Sequence, residues 1–104
     1  MSRLEQIEKM LAAEPEDVFL NFSLAMEYAR AGRQEEAAGQ FARVAELDGD
    51  YVAAYPQWAN ILIALERRSE AREVLNKGIA AAKRINDKHA ADQMTKTLNM
   101  LAGN

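Results

Sequence analysis

An all-α fold follows from three features of this sequence. Apolar residues recur at helical spacing along nearly the whole chain and nowhere alternate in the manner of a strand. Breakers are sparse, with two prolines and five glycines among 104 residues, while Ala, Glu, Leu and Arg are plentiful. The punctuation between periodic segments is short, which predicts antiparallel neighbours, about six helices in all. A chain of this length buries one core, so a single domain over residues 1–104 is expected.

The first helix is marked by Leu4, Ile7 and Leu11 at i, i+3 and i+7, with Met10 beside them, and Pro15 closes it. Asp17, a good N-cap residue, should start a second helix that runs to about Ala31, after which Gly32 supplies the left-handed conformation that ends it. The third helix runs from Gln34 to Leu47, and Asp48-Gly49-Asp50 is a turn. The fourth spans Val52 to Leu65. Pro56 lacks the N–H for a helical hydrogen bond there, so a late or distorted first turn near Tyr55-Pro56 is expected. The fifth helix takes Ser69 as N-cap, with Glu70 and Glu73 near its positive end, and continues to about Ile85. The last, from Asp87 to Leu101, carries Ala91, Met94, Leu98 and Leu101 as its apolar stripe.

Composition excludes several classes. Without cysteine the chain has neither disulfides nor zinc–thiolate sites. The opening MSRLEQIEKM carries charge every few residues, so no secretory signal is expected. No stretch approaches the roughly 20 apolar residues that span a bilayer, and a cytoplasmic location without membrane partners is the expectation. A net charge of −3 argues against non-specific nucleic-acid binding. That charge is unevenly shared: residues 1–50 hold 11 acids and 5 bases, net −6, and residues 51–104 hold 5 acids and 8 bases, net +3. A chain with such a dipole can associate head to tail.

A shift of 34 residues overlays Leu24 on Trp58, Ala25 on Ala59, Tyr28 on Leu62, Ala37 on Ala71, and Phe41 on Leu75. The acids Glu36 and Glu70 precede the matching alanines Ala37 and Ala71. Helix, turn and helix at this period resemble the tetratricopeptide repeat family. In its pattern Leu24, Ala25 and Tyr28 supply the large, small and aromatic residues of a first helix. Gly32 matches the turn glycine, Ala37 the small residue opening the second helix, and Phe41 its large residue. The physical content is close approach: Ala25 and Ala37 make room that Tyr28 and Phe41 fill. A Leu at position 37 would overpack the crossing, at a cost of about 1–3 kcal/mol.

The resemblance implies a right-handed α-α superhelix in which 17–51 and 52–86 are two repeats. Residues 1–16 then form the second half of a preceding repeat, with Ile7 at the place of Phe41, and 87–104 form a capping helix. Three departures from the family pattern stand out: Gly49 replaces the closing proline, Glu66 the turn glycine, and Pro56 interrupts a helix.

Candidate chemistry is scarce. His89 is the one histidine, and of its acidic neighbours only Asp92 could share its helix face, too few ligands for a metal. Ser23, Ser69, Thr95 and Thr97 have no base at a recognisable spacing, and the scattered glycines form no phosphate loop. No enzyme, cofactor or metal is expected. The basic residues Lys83 and Arg84 read as cations at the negative pole of a helix.

The binding surface is read from the second helix. Leu20, Leu24, Tyr28 and Ala31 form one stripe, expected to face the partner helix of the same repeat, and Phe19, Phe22, Met26 and Ala29 form another. The resemblance implies that first helices line a concave groove for a peptide or helix of another protein. By repeat position the groove comprises Phe19, Phe22, Met26, Arg30, Tyr51, Gln57, Asn60, Ile63 and Arg67. The N-terminal helix, through Leu4, Ile7 and Met10, is the other candidate cover for the second stripe. Some members of the family clamp a chaperone's C-terminal carboxylate with Lys and Asn. Phe22 and Met26 at the equivalent places argue against that clamp and for an apolar or mixed ligand.

A protein-binding scaffold is therefore the leading expectation. Self-association through the groove or the stack ends is the alternative, because two repeats bury little. RNA binding by helical repeats is a remote third, opposed by the acidic N-terminal half.

Overall fold

The computed structural model describes residues 1–103; Asn104, the last residue of the expected capping segment, lies outside them. Six helices follow one another: α1 (Arg3–Ala13), α2 (Val18–Arg30), α3 (Gln34–Leu47), α4 (Ala54–Ala64), α5 (Arg68–Arg84) and α6 (Lys88–Ala102). No strand occurs among the described residues. Each helix packs chiefly on the one before and the one after it, so that α2, α4 and α6 run one way and α3 and α5 the other. The smallest dimension of the molecule, 18 Å, is that of two helix layers.

Local chemistry sets most boundaries. Ser2 and Glu5 form a reciprocal capping box on α1. The helix stops at Ala13, because Glu14 precedes Pro15 and is held out of the helical region at φ −135°, ψ 71°. Asp17 Oδ1 accepts from the Leu20 N–H at 2.8 Å and starts α2, as its residue type predicts.

Three helices end in the same motif. At the end of α2, the Arg33 N–H donates to the Tyr28 carbonyl at 2.9 Å and the Gly32 N–H to the Ala29 carbonyl at 3.1 Å. At the end of α4, Arg67 donates to Leu62 at 2.8 Å and Glu66 to Ile63 at 3.0 Å. At the end of α5, Asp87 donates to Ala82 at 2.8 Å and Asn86 to Lys83 at 3.2 Å. Each is a Schellman motif, which requires a residue in the left-handed region. Gly32, Glu66 and Asn86 fill that position at φ 78°, 62° and 62°.

This motif overturns the expected cap of α5. Because Glu66 closes α4 so tightly, α5 begins at Arg68 with Arg67 at the N-cap, and Ser69 lies inside the first turn. Its hydroxyl accepts from Arg72 at 3.2 Å instead. At α4 the expected late start holds. The N–H groups of Ala54 and Tyr55 bond the Tyr51 and Val52 carbonyls in a tight turn, and the helix starts at Ala54. Pro56 is then its third residue, where an N–H would have no partner within the helix.

The core has two parts. Around Phe41 and Val44 gather Ala25, Ala37 and Ala54, flanked by the partly buried Phe22, Met26, Tyr28 and Ala29 of α2. Around Leu62 and Leu75 gather Ala59, Ala71, Ala82 and Met94, with Ala38 on the α3 side. Adjacent alanines thus serve different clusters: Ala37 gives α2 its close approach, and Ala38 gives α4 and α5 theirs. Trp58 and Ile61 touch both.

One expectation is corrected here. The Phe22, Met26 and Ala29 stripe of α2 packs toward Phe41; of the stripe expected to do so, Tyr28 joins it, whereas the buried Leu24 lies outside that cluster. α1 lies on the Leu20–Leu24 side, where its Arg3 bonds Glu27 at 2.8 Å. Small residues decide the matter. Ala25 and Ala29 bring α2 close to α3 along the stripe they share with Phe22, leaving the larger leucines to α1.

Candidate functional site

Two like-directed helices, α4 and α6, frame a hollow along their seam. Pro56 and Asn60 of α4 form one wall and Ala90, Gln93 and Thr97 of α6 the other, with Leu75 and Met94 at the floor. The cleft encloses about 300 Å³. At its far end a smaller notch of about 190 Å³ is bounded by Ile63, Arg68, Thr97, Met100 and Leu101.

Local structure explains how these side chains come to face one another. Ala91, Met94 and Leu101 are the buried stripe of α6. Gln93 and Thr97 stand next to that stripe at i and i+4 and so project along its margin toward α4. On α4, Ala59 and Leu62 are buried against α5, which leaves Asn60 and Ile63 on the flank. The cleft therefore presents amide and hydroxyl donors and acceptors over an apolar floor. None of its lining residues is an acid, a histidine or a lysine. Such a lining can pair with backbone amides and accept apolar side chains; it holds no nucleophile–base pair.

The groove positions expected from the sequence are distributed unequally. Asn60 lines the cleft and Ile63 the notch. Phe19 projects from the first turn of α2 with 65% of its surface exposed. Phe22 is half-buried, edge-on to Phe41 at 5.9 Å and 5.2 Å from the half-buried Tyr51 ring. Met26 packs on the same cluster, Gln57 is exposed, and Arg30 pairs with Glu27 at 2.6 Å. Arg67 is turned away, held by Glu70 at 2.6 Å and Glu35 at 3.1 Å. It borders a second hollow on the α3–α5 side, floored by Trp58 and edged by Gly39 and Ala42.

Reading α6 only as a cap missed Ala90, Gln93 and Thr97. Their signal was present in the sequence as small and polar residues at i, i+3 and i+7 beside the stripe Ala91, Met94 and Leu98.

The electrostatics are those of the repeat, and the cleft adds nothing to them. Arg33 Nε and Nη2 donate to the two oxygens of Glu36 at 2.7 and 2.6 Å; 34 residues later Arg67 does the same to Glu70 at 2.9 and 2.6 Å. These hydrogen bonds hold both carboxyls below the ordinary Glu range. Arg33 also stands over the Tyr28 ring, 4.6 Å from its centroid. Burial pushes the Tyr28 and Tyr55 hydroxyls up, and Tyr55 donates to the Gly49 carbonyl at 2.6 Å. His89 is exposed, and Asp92 pairs with Lys88 at 3.9 Å. Among the described residues no cluster of three or more His, Cys, Asp or Glu could hold a metal ion, and no helix is long and apolar enough to cross a membrane.

Comparison with known proteins places this architecture. No family model matches the sequence. A TPR repeat-containing protein of Pseudomonas aeruginosa is 34% identical over 98 residues, covering 94% of this chain and 93% of that one. A tetratricopeptide repeat domain protein from Salinibacter ruber superposes with a TM-score of 0.80 at 25% identity, covering 86% of this chain and 90% of the other. The TPR2B domain of yeast Sti1, solved in complex with pHsp70, superposes with a TM-score of 0.87 at 21% identity, covering 96% of this chain and 80% of that one.

Proposed function

The chain belongs to the tetratricopeptide repeat family, and from that premise we propose that it is a non-catalytic protein–protein interaction module whose peptide seat is the α4–α6 cleft. Residues 17–51 and 52–86 act as its two repeats, with 1–16 and 87–104 as the flanking helices. The observation that carries this reading is that Asn60 faces Gln93 and Thr97 across an apolar floor. Exposed amides at the rim can hold the backbone of an extended or helical peptide, and the half-buried Pro56 and Ala90 can meet its apolar side chains above the buried Leu75 and Met94. The yeast Sti1 domain shares this fold in its complex with pHsp70. The expected ligand is uncharged or mixed, because the cleft offers no basic pair to grip a terminal carboxylate. Phe22 and Met26 lie outside this cleft, half-buried on the Phe41 cluster.

The test begins with peptides selected from a displayed random library against the full chain. Their binding is then measured by calorimetry against Asn60→Glu and Gln93→Glu. Both positions are exposed, so helicity and melting temperature should stay at the parent values while affinity falls about tenfold or more, the equivalent of about 1.4 kcal/mol. Selected peptides that bind both variants as well as the parent would rule out the cleft as the seat.

A further inference from the structure

We infer that a second copy of this chain docks head to tail, with Phe19 of one molecule entering the notch at the far pole of the next. Its two key residues, Phe19 and Arg68, do not line the α4–α6 cleft, although Thr97 borders both hollows.

The knob is Phe19, the most exposed aromatic of the chain among its large hydrophobics at 65%. It sits in the first turn of α2, directly after Glu14, Glu16 and Asp17 with no basic residue among them. Glu14 and Glu16 are exposed and take part in no ion pair among the described residues. The hole is the notch of about 190 Å³. Cavities of about 150 Å³ lined by apolar side chains admit benzene, so a phenyl ring fits. Ile63, Leu101 and Met100 supply the apolar walls, and Arg68 is the one charged residue on its rim. Arg68 is exposed and also has no ion-pair partner among the described residues.

An unpaired cation therefore borders the hole, and unpaired acids border the knob. The two halves of the chain repeat this polarity at larger scale, −6 against +3. The chain cannot satisfy itself. Phe19 opens α2, whereas the notch is made by the last turns of α4 and α6, and since these helices run the same way the two features lie at opposite poles. A knob and a hole on different surfaces of one molecule join copies by a heterologous contact, which extends rather than closing on a dimer. The occupant is this chain because it carries both complementary partners.

Sedimentation velocity on the full chain at rising concentration tests the contact. The weight-average mass should climb past that of a dimer at low salt and fall as salt rises toward about 0.5 M, where screening acts over about 4 Å. Phe19→Glu and Arg68→Glu should each return the chain to a monomer with unchanged helicity. Mixed together, they should form a one-to-one pair that grows no further, because one retains the hole and the other the knob. The double reversal Glu16→Arg with Arg68→Glu should restore growth, which separates charge pairing from damage to the fold. A parent chain that stays monomeric to millimolar concentration, assembly that survives either single substitution, or a double reversal that stays monomeric would each overturn the inference.

Discussion

Gly32 and Glu66 stand 34 residues apart and occupy the same left-handed backbone position, at φ 78° and 62°. Each closes the first helix of a hairpin with the same two hydrogen bonds. Glycine adopts that conformation freely, whereas an L-residue meets its own carbonyl and loses about 1–2 kcal/mol. Glu66→Gly recovers that loss less about 0.5–1 kcal/mol of added unfolded-state entropy. The net gain of about 0.5–1 kcal/mol should raise the melting temperature by a few degrees in a thermal melt. Gly32→Ala should do the reverse by about 1 kcal/mol, since open space surrounds its Cβ and only the backbone resists.

Gly78 separates propensity from packing. It lies buried in α5, where an added Cβ would stand 2.5 Å from Tyr55 Cβ and 2.5 Å from Met94 Sδ. Met94 can swing aside; Tyr55 Cβ is tied to the α4 backbone and cannot. Gly78→Ala should therefore destabilise, with overpacking of about 1–3 kcal/mol exceeding a helix-propensity gain of about 1 kcal/mol. Gly39 in α3 meets nothing within 4 Å, so Gly39→Ala should stabilise by about 1 kcal/mol. Urea titrations of the two variants should shift their midpoints in opposite directions; a shared direction would contradict the close α4–α5 crossing.

Asn21 is the buried polar residue of α2, and its amide is fully used. It donates to the Pro15 carbonyl at 3.1 Å and the Asp17 carbonyl at 2.8 Å, and it accepts from Gln40 of α3. The α1–α2 turn is thereby pinned to the repeat. Asn21→Ala should cost about 1–3 kcal/mol, because the Pro15 carbonyl loses its side-chain donor. Gln40→Ala should cost less, about 0.5–1.5 kcal/mol, as Asn21 keeps its two backbone acceptors. A double-mutant cycle of chemical denaturation should show the pair to be coupled.

Acid stability should report the two Arg–Glu forks. Glu36 and Glu70 titrate below the unfolded value of about 4.3 because Arg33 and Arg67 bond their charged forms. A depressed folded pKa means that the unfolded chain binds protons first. The contribution is thus complete above pH of about 5 and is lost as pH falls through the folded pKa values. Replacing Arg33 and Arg67 with Met should flatten the dependence of the denaturation midpoint on pH in that window. An unchanged slope would show that the forks contribute nothing in solution.

Most of the architecture was legible residue by residue. Asp17, Gly32 and the bounds of α3 follow from rules that act within one turn of helix. The repeat followed from Ala25, Ala37 and Phe41 recurring as Ala59, Ala71 and Leu75. The misreadings have two causes, a competing local motif in one case and tertiary packing in the others. Ser69 has the chemistry of a cap, yet the motif closing α4 at Glu66 had already set where α5 begins. Phe22 and Leu24 are both apolar, and only the approach of α3 on one side and α1 on the other decides which neighbour each meets. Gln93 and Thr97 become the wall of a cleft only when α4 is laid beside them.

What the chain determined alone was therefore the number, order and ends of its helices, because capping, periodicity and backbone preference are properties of neighbouring residues. The tertiary structure decided which face meets which neighbour, why Gly78 leaves no room for a methyl group, and where Asn60 finds Gln93. Those depend on distances between segments far apart in sequence, and no local preference encodes a distance.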